Sequence, residues 1–189
     1  LGKTGKRLDF VTDVDWKESH KLARVEFPVT VRAQQANYDI AYGTVARDTH
    51  NNTKWQYAQF EVVGHRFVDM SEPDFGIALL TDSKYGYRVK EGVMSLSLLR
   101  APTNPDPICD VGQHHFVYSL LPHAGTLACS DEVVANAAVI NQGLEKFVGK
   151  AMTEAAKMPV AFAGEGVELA VIKRAENENV LIVRLVERR

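Results

Sequence analysis

From Lys21 to Arg32 the odd positions Ala23, Val25, Phe27, Val29 and Val31 are apolar, while Arg24, Glu26, Thr30 and Arg32 stand between them. Side chains that alternate with period two lie on opposite faces of a pleated strand, so this run has one face for a core and one for water. Comparable runs recur at Arg7–Trp16, Tyr38–Val45, Ala58–Val68, Phe75–Thr81, Val93–Leu99, His115–Pro122, Val167–Ala175 and Asn179–Glu187, mostly separated by Gly, Pro, Asn or Asp. Short strands punctuated in this way predict an all-β, mainly antiparallel sandwich. Within 93–99 the alternation turns Met94, Leu96 and Leu98 inward and Ser95 and Ser97 to the other face.

One segment departs from the period. Between Asp131 and Phe147 the apolar residues Val133, Ala137, Ile140, Leu144 and Phe147 are spaced by three and four, behind Ser130 as an N-cap. That spacing predicts one short helix, with Asp131 and Glu132 suited to its positive end. The three prolines of 100–108 predict a long loop outside any central strand.

At 189 residues, 46% hydrophobic and 24% charged, the chain is expected to fold as a single β-sandwich domain spanning 1–189. A formal net charge of -2 offers no field for phosphate backbones or anionic lipid, so neither nucleic acid nor a membrane is an expected partner. No apolar run approaches the roughly 18 residues that cross a bilayer. Cys109 and Cys129 are too few for a disulfide framework, and their spacing does not imply even the one bridge they allow, which favours a reducing compartment; the cytoplasm is the expected location. The start Leu1-Gly2-Lys3 reads as a piece of something longer.

Three constellations carry chemistry, each beside a plainer reading. His114 and His115 lie close to Cys109 and Asp110, the residue types of a metal site, but neighbours in a strand face opposite sides. His123, after Pro122, reads as a surface or capping histidine. Asp69, Glu72, Asp74 and Asp82 contain the carboxyl types of a glycosidase acid pair, or are a solvated loop. Trp55, Tyr57 and Phe60 offer rings that stack on sugars, or the half-buried edge of a core. No phosphate-binding loop, dinucleotide fingerprint or serine-hydrolase elbow is present.

The order of five segments adds a resemblance. FPVTV, YDIAYGTVARDTHNNTKWQYAQFEVVGHRFVDMSE, DFGIALLTDSKYGY, LSLLRAPTNPDP and HHFVYSLLPH together resemble the C-terminal region of the family 38 α-mannosidases of cytosolic and vacuolar type. LDFVTDVDW and VELAVIKRAENENVLIVRLVE, on either side, are similar less sharply; VARDTH lacks the proline that relatives usually carry after the arginine. The resemblance implies a large sandwich similar to that of galactose mutarotase. It also implies a parent enzyme that cleaves α-mannosides with retention, using an aspartate nucleophile, an acidic acid/base and a zinc ion or another divalent metal. All of those belong to an N-terminal catalytic domain absent from this chain, so no catalytic residue, metal ligand or cofactor is expected here.

In family members of Golgi and lysosomal type an Asp-rich loop followed by Arg-Gly turns from the sandwich toward the mannose. By position it is similar to Thr81–Gly86, which makes Asp82, Tyr85 and Gly86 the expected substrate-binding residues, with Tyr85 where the arginine stands. The alternative is a plain hairpin whose glycine supplies positive φ. Expected partners are α-mannoside glycans, the catalytic domain of the same parent, and a homo-oligomeric copy. Two rival roles are a self-standing carbohydrate-binding module and a purely structural or oligomerisation domain.

Overall fold

The computed structural model describes residues 5–142, 148–149 and 167–187. Its strands are β1 (Leu8–Trp16), β2 (Ala23–Pro28), β3 (Gln35–Ile40), β4 (Gly43–Asp48), β5 (Val62–Val63), β6 (Phe67–Ser71), β7 (Phe75–Thr81), β8 (Gly86–Lys90), β9 (Val93–Leu99), β10 (Gly112–Ala124), β11 (Val167–Arg174) and β12 (Leu181–Glu187). Two helices interrupt them, α1 (Lys54–Ala58) and α2 (Asp131–Gln142). Every strand pairing is antiparallel. A six-stranded sheet runs in the order β1-β10-β7-β6-β3-β4, a four-stranded sheet in the order β2-β9-β8-β5, and β11 pairs with β12.

The main core lies between the two larger sheets. Tyr38, Val68, Met70 and Leu79 from the six-stranded sheet meet Tyr87, Val89, Met94 and Leu96 from the four-stranded one. Tyr38 and Tyr87 meet edge to face at 6.3 Å, the geometry favoured by opposed ring quadrupoles. Met94 and Leu96 are fully buried and Leu98 packs half-buried against the same cluster, as the alternation requires. Leu96→Ala should therefore cost about 2–5 kcal/mol in chemical denaturation, because the closed wall cannot collapse into the space left behind.

A second cluster explains the helix. β6 and β7 send successive residues to both faces: Val68 and Leu79 inward, Phe67, Ala78 and Leu80 outward. The outer set is covered by Val133 and Ala137 of α2, with Leu121 of β10. Strands buried on both sides read as continuous apolar runs, which is why GIALL is unbroken by polar residues. The helix occupies Asp131–Gln142 of the expected 131–147, and residues 143–147 lie outside the described residues.

Three expectations need correction. The run Tyr38–Val45 is a hairpin, β3 and β4, turning at Ala41-Tyr42 with Tyr42 at φ 63. The run Ala58–Val68 is broken into the end of α1, β5 and the start of β6. Gly86–Lys90, unpredicted, is a strand.

Candidate functional site

Loop 82–86 joins β7 of one sheet to β8 of the other, so it crosses one end of the sandwich. A plain hairpin is thereby corrected: β7 and β8 do not pair, and Gly86 is not among the glycines with positive φ. What restricts position 86 is space. An added Cβ would lie 3.3 Å from Ser97 Cβ, beside the hydrogen bond from Ser97 to Glu61.

The loop is fixed at its root. Buried Thr81 accepts at Oγ1 from the backbone N–H of Ser83 (3.4 Å) and Lys84 (3.2 Å), a hydroxyl-closed turn. Asn141 of α2 donates to the Thr81 carbonyl at 2.9 Å. The Asp82 carboxylate accepts from the Val117 N–H (3.0 Å) and the Ser83 hydroxyl (2.7 Å), and the Asp82 N–H donates to Val117 O (3.1 Å). Lys84 lies over the Phe116 ring at 4.3 Å; burial, only partly countered by Asp82 and Asp110, lowers its pKa.

Tyr85 stands out from this root, 57% exposed. Its carbonyl accepts from Gly64 N–H at 3.1 Å, which leaves a second lone pair, and its ring meets His65 edge-on at 6.2 Å. The loop therefore positions an exposed phenol and a carbonyl on a rigid base. Asp82 is occupied in holding that base.

Beside it lies a cavity of about 400 Å³ lined by Asp39, Tyr42, His65 and Arg66 from the sandwich and by Glu168 and Arg184 from β11 and β12. Arg66 grips buried Asp39 with Nε and a terminal nitrogen, each at 3.0 Å, and its backbone N–H donates to the same carboxylate at 3.0 Å. That hydrogen bonding raises the guanidinium pKa against the pull of burial. Sequence reasoning passed over His65, Arg66 and Asp39, because 27 positions separate the ion-pair partners and no local pattern links them.

The other expected constellations disperse. His114 is within 2.8 Å of the Asp110 carbonyl and His115 within 2.7 Å of Asp13 Oδ1, from opposite faces of β10. His123 is no surface residue: it is buried, 2.6 Å from Asp69, which is itself fully buried and not in a solvated loop. Glu72 accepts from Arg32 N–H, and exposed Asp74 accepts from Gly125 N–H only through its backbone carbonyl, so the carboxylates of Asp69, Glu72 and Asp82 serve three separate tasks and do not form a pair. No group of three or more His, Cys, Asp or Glu among the described residues is placed to hold a metal ion. Cys109 is exposed and free. No helix among the described residues is long and apolar enough to cross a membrane.

Trp55, Tyr57 and Phe60 are exposed on and just after α1 instead of edging the core. α1 was not anticipated from the sequence; it starts at a capping box made by Thr53 with Gln56. Gln56 also donates to the Asp48 carboxylate at 2.7 Å.

Residues 1–108 match the model of the glycosyl hydrolases family 38 C-terminal domain. Alpha-mannosidase G of Dictyostelium discoideum is 44% identical over 185 residues, 96% of this chain and 17% of the relative. An alpha-mannosidase of Saccharomyces cerevisiae is 37% identical over 177 residues, 93% and 16% respectively. The chain thus spans about a sixth of the length of these relatives. The crystal structure of an alpha-mannosidase from Enterococcus faecalis V583 superposes with a TM-score of 0.76 at 21% identity, over 98% of this chain and 22% of that one.

Proposed function

The chain belongs to glycosyl hydrolase family 38 as a C-terminal domain of that family, and from this we infer that it is one β-sandwich domain, 1–189, of a retaining, metal-dependent α-mannosidase acting in glycan catabolism. The observation that carries the reading is the 44% identity to an alpha-mannosidase over nearly the whole chain. Its work is to support the catalytic domain of the same parent and to shape one wall of the pocket that receives terminal α-mannosides. The nucleophile, the acid/base and the zinc or other divalent metal then reside in that catalytic domain. The cytoplasm is the compartment this reading favours, and a homo-oligomer is compatible with it.

Tyr85 and Gly86 are the proposed points of contact, with Asp82 anchoring them. Support comes from the exposed Tyr85 ring and the fixed root of its loop. In the intact enzyme Tyr85→Ala should raise KM or lower kcat by about twofold to tenfold, the worth of one hydrogen bond to a sugar. Gly86→Val should do more, because the new side chain meets Ser97 and displaces the loop, while Lys173→Ala should do neither. Wild-type kinetics for both loop variants would make the loop scaffold only.

The chain alone should not turn over aryl α-mannosides, with or without added zinc, since that chemistry needs a carboxyl pair and ligands it is expected to lack. Turnover abolished by Asp74→Ala or Asp82→Ala would overturn this and move the active centre into the chain. Exposure of Trp55, Tyr57 and Phe60 favours, as a second reading, a self-standing sugar platform. Saturable quenching of Trp55 fluorescence by mannan in the isolated chain would support that reading; its absence would remove it.

A further inference from the structure

Residues 82–85 lead into Gly86 at one end of β8, and the turn Glu91-Gly92 follows Lys90 at the other, about 17 Å away for five extended residues. At this far end residues of 29–34, 49–50 and 91–92, with Met70 beneath, line a cavity of about 660 Å³, within the range that holds small ligands.

Its walls are fastened to one another. The N–H of Thr49 donates to Gln34 O (2.9 Å) and its hydroxyl to Ala33 O (2.6 Å); Glu91 N–H donates to Thr49 O (2.9 Å) and Val29 N–H to Gly92 O (2.8 Å). Lys90, buried, donates to the carbonyls of Asp48 (2.9 Å) and His50 (3.2 Å). Its charge is engaged in holding the His50 segment, not offered to a ligand. A cavity tied in this way is formed before anything binds, which lowers the ordering cost of binding.

The lining selects a chemistry. Val31 and Met70, both in the core cluster, supply an apolar floor. Arg32, Gln34, His50 and Glu91 supply hydrogen-bonding groups around it. Among the described residues the Arg32 guanidinium has no partner, and the Glu91 carboxylate accepts only from Asn51 at 3.5 Å. One cation and one anion cancel, which disfavours a phosphate. A planar donor fork and a carboxylate acceptor over a hydrocarbon floor match a ring with hydroxyls at its edge and C–H groups on its face.

We propose that this cavity binds a neutral sugar residue, at a site separate from loop 82–86. Only the choice of mannose as first probe rests on the proposed function. The 189-residue chain, labelled with ¹⁵N, is titrated with methyl α-mannopyranoside, methyl α-glucopyranoside and a linear α-mannotriose. Saturable shifts are expected at the amides of Arg32, Thr49, His50 and Gly92, with a dissociation constant on the order of 1 to 10 mM. Arg32→Ala should weaken binding roughly tenfold. Glu91→Gly, which keeps the backbone at φ 54 without strain and removes the carboxylate, should do likewise. Tighter binding of mannotriose assigns a glycan chain, and equal binding a single terminal or free sugar. Binding of the glucoside but not the mannoside supports the cavity while counting against mannose as its ligand. No saturable shift with any of the three, shifts centred on 82–86, or binding unchanged in both variants would overturn the proposal.

Discussion

Asp69→Ala should lower the stability of the chain by about 3–5 kcal/mol, because it leaves the buried His123 ring without the partner that makes its charge tolerable. Both side chains are fully buried and 2.6 Å apart, and Ser71 links Asp69 (2.9 Å) to the N–H of Leu127 (3.3 Å), the first residue of the turn before α2. Burial alone would push the His123 pKa down. The hydrogen bond and charge of Asp69, helped by the Ala124 carbonyl and Glu132, outweigh it and raise the pKa above its ordinary 6.5. The folded state therefore holds its proton more tightly than the unfolded chain. The contribution is fully present below about pH 6.5 and is lost as pH rises through the higher folded value. Urea denaturation at pH 6 and pH 9 should show wild type losing this contribution on the alkaline side. Asp69→Ala should be weaker at pH 6 and lack that loss. A variant as stable as wild type at pH 6 would refute the account.

Gly76→Val should be at least as damaging. A Cβ at position 76 would stand 2.3 Å from His123 Cε1, 2.5 Å from Nε2 and 2.7 Å from Ser71 Cβ, closer than such atoms come. Gly76 pairs with His123 across β7 and β10, so the imidazole lies over the one residue that lacks a side chain. Valine would force the ring aside and break its bond to Asp69, adding overpacking to the loss of the ion pair. The expected result is a denaturation midpoint lowered as far as in Asp69→Ala, or no folded protein at 37 °C. Gly43→Val, with nothing within 4 Å of its Cβ, should cost less than about 1 kcal/mol. Because both damaging changes act through one contact, the double variant should lose less than the sum.

The difference between these two glycines shows what sequence can and cannot carry. Strands with one wet face, such as β1 and β2, announce themselves, since the period of two is itself the physical requirement. The helix was visible for the same reason at its own period. β8 alternates too, Tyr87 and Val89 against Arg88 and Lys90, but five residues hold too few repeats to stand out, and Lys90 is buried by virtue of two carbonyls reached from other segments. The β3–β4 turn hid behind Tyr42, a residue seldom used at positive φ. His123 with Asp69, and Arg66 with Asp39, are pairs made by sheet register across 54 and 27 positions. Nothing local in either partner states the match. The exposed Tyr85 follows from position in a family resemblance, but the hydroxyl and carboxylate that fix its loop became evident only with Thr81 and Val117 in place.

The outermost strand of the six-stranded sheet pairs Leu8 with Leu120. On a ribosome delivering about 5–20 residues per second, β1 would wait roughly 6–20 seconds for β10, its hydrogen-bonding neighbour among the described strands of that sheet. During that interval its backbone donors and acceptors remain open to any other strand nearby. A sheet closed by its earliest segment is slow to complete, and its period of vulnerability is set by the rate of translation.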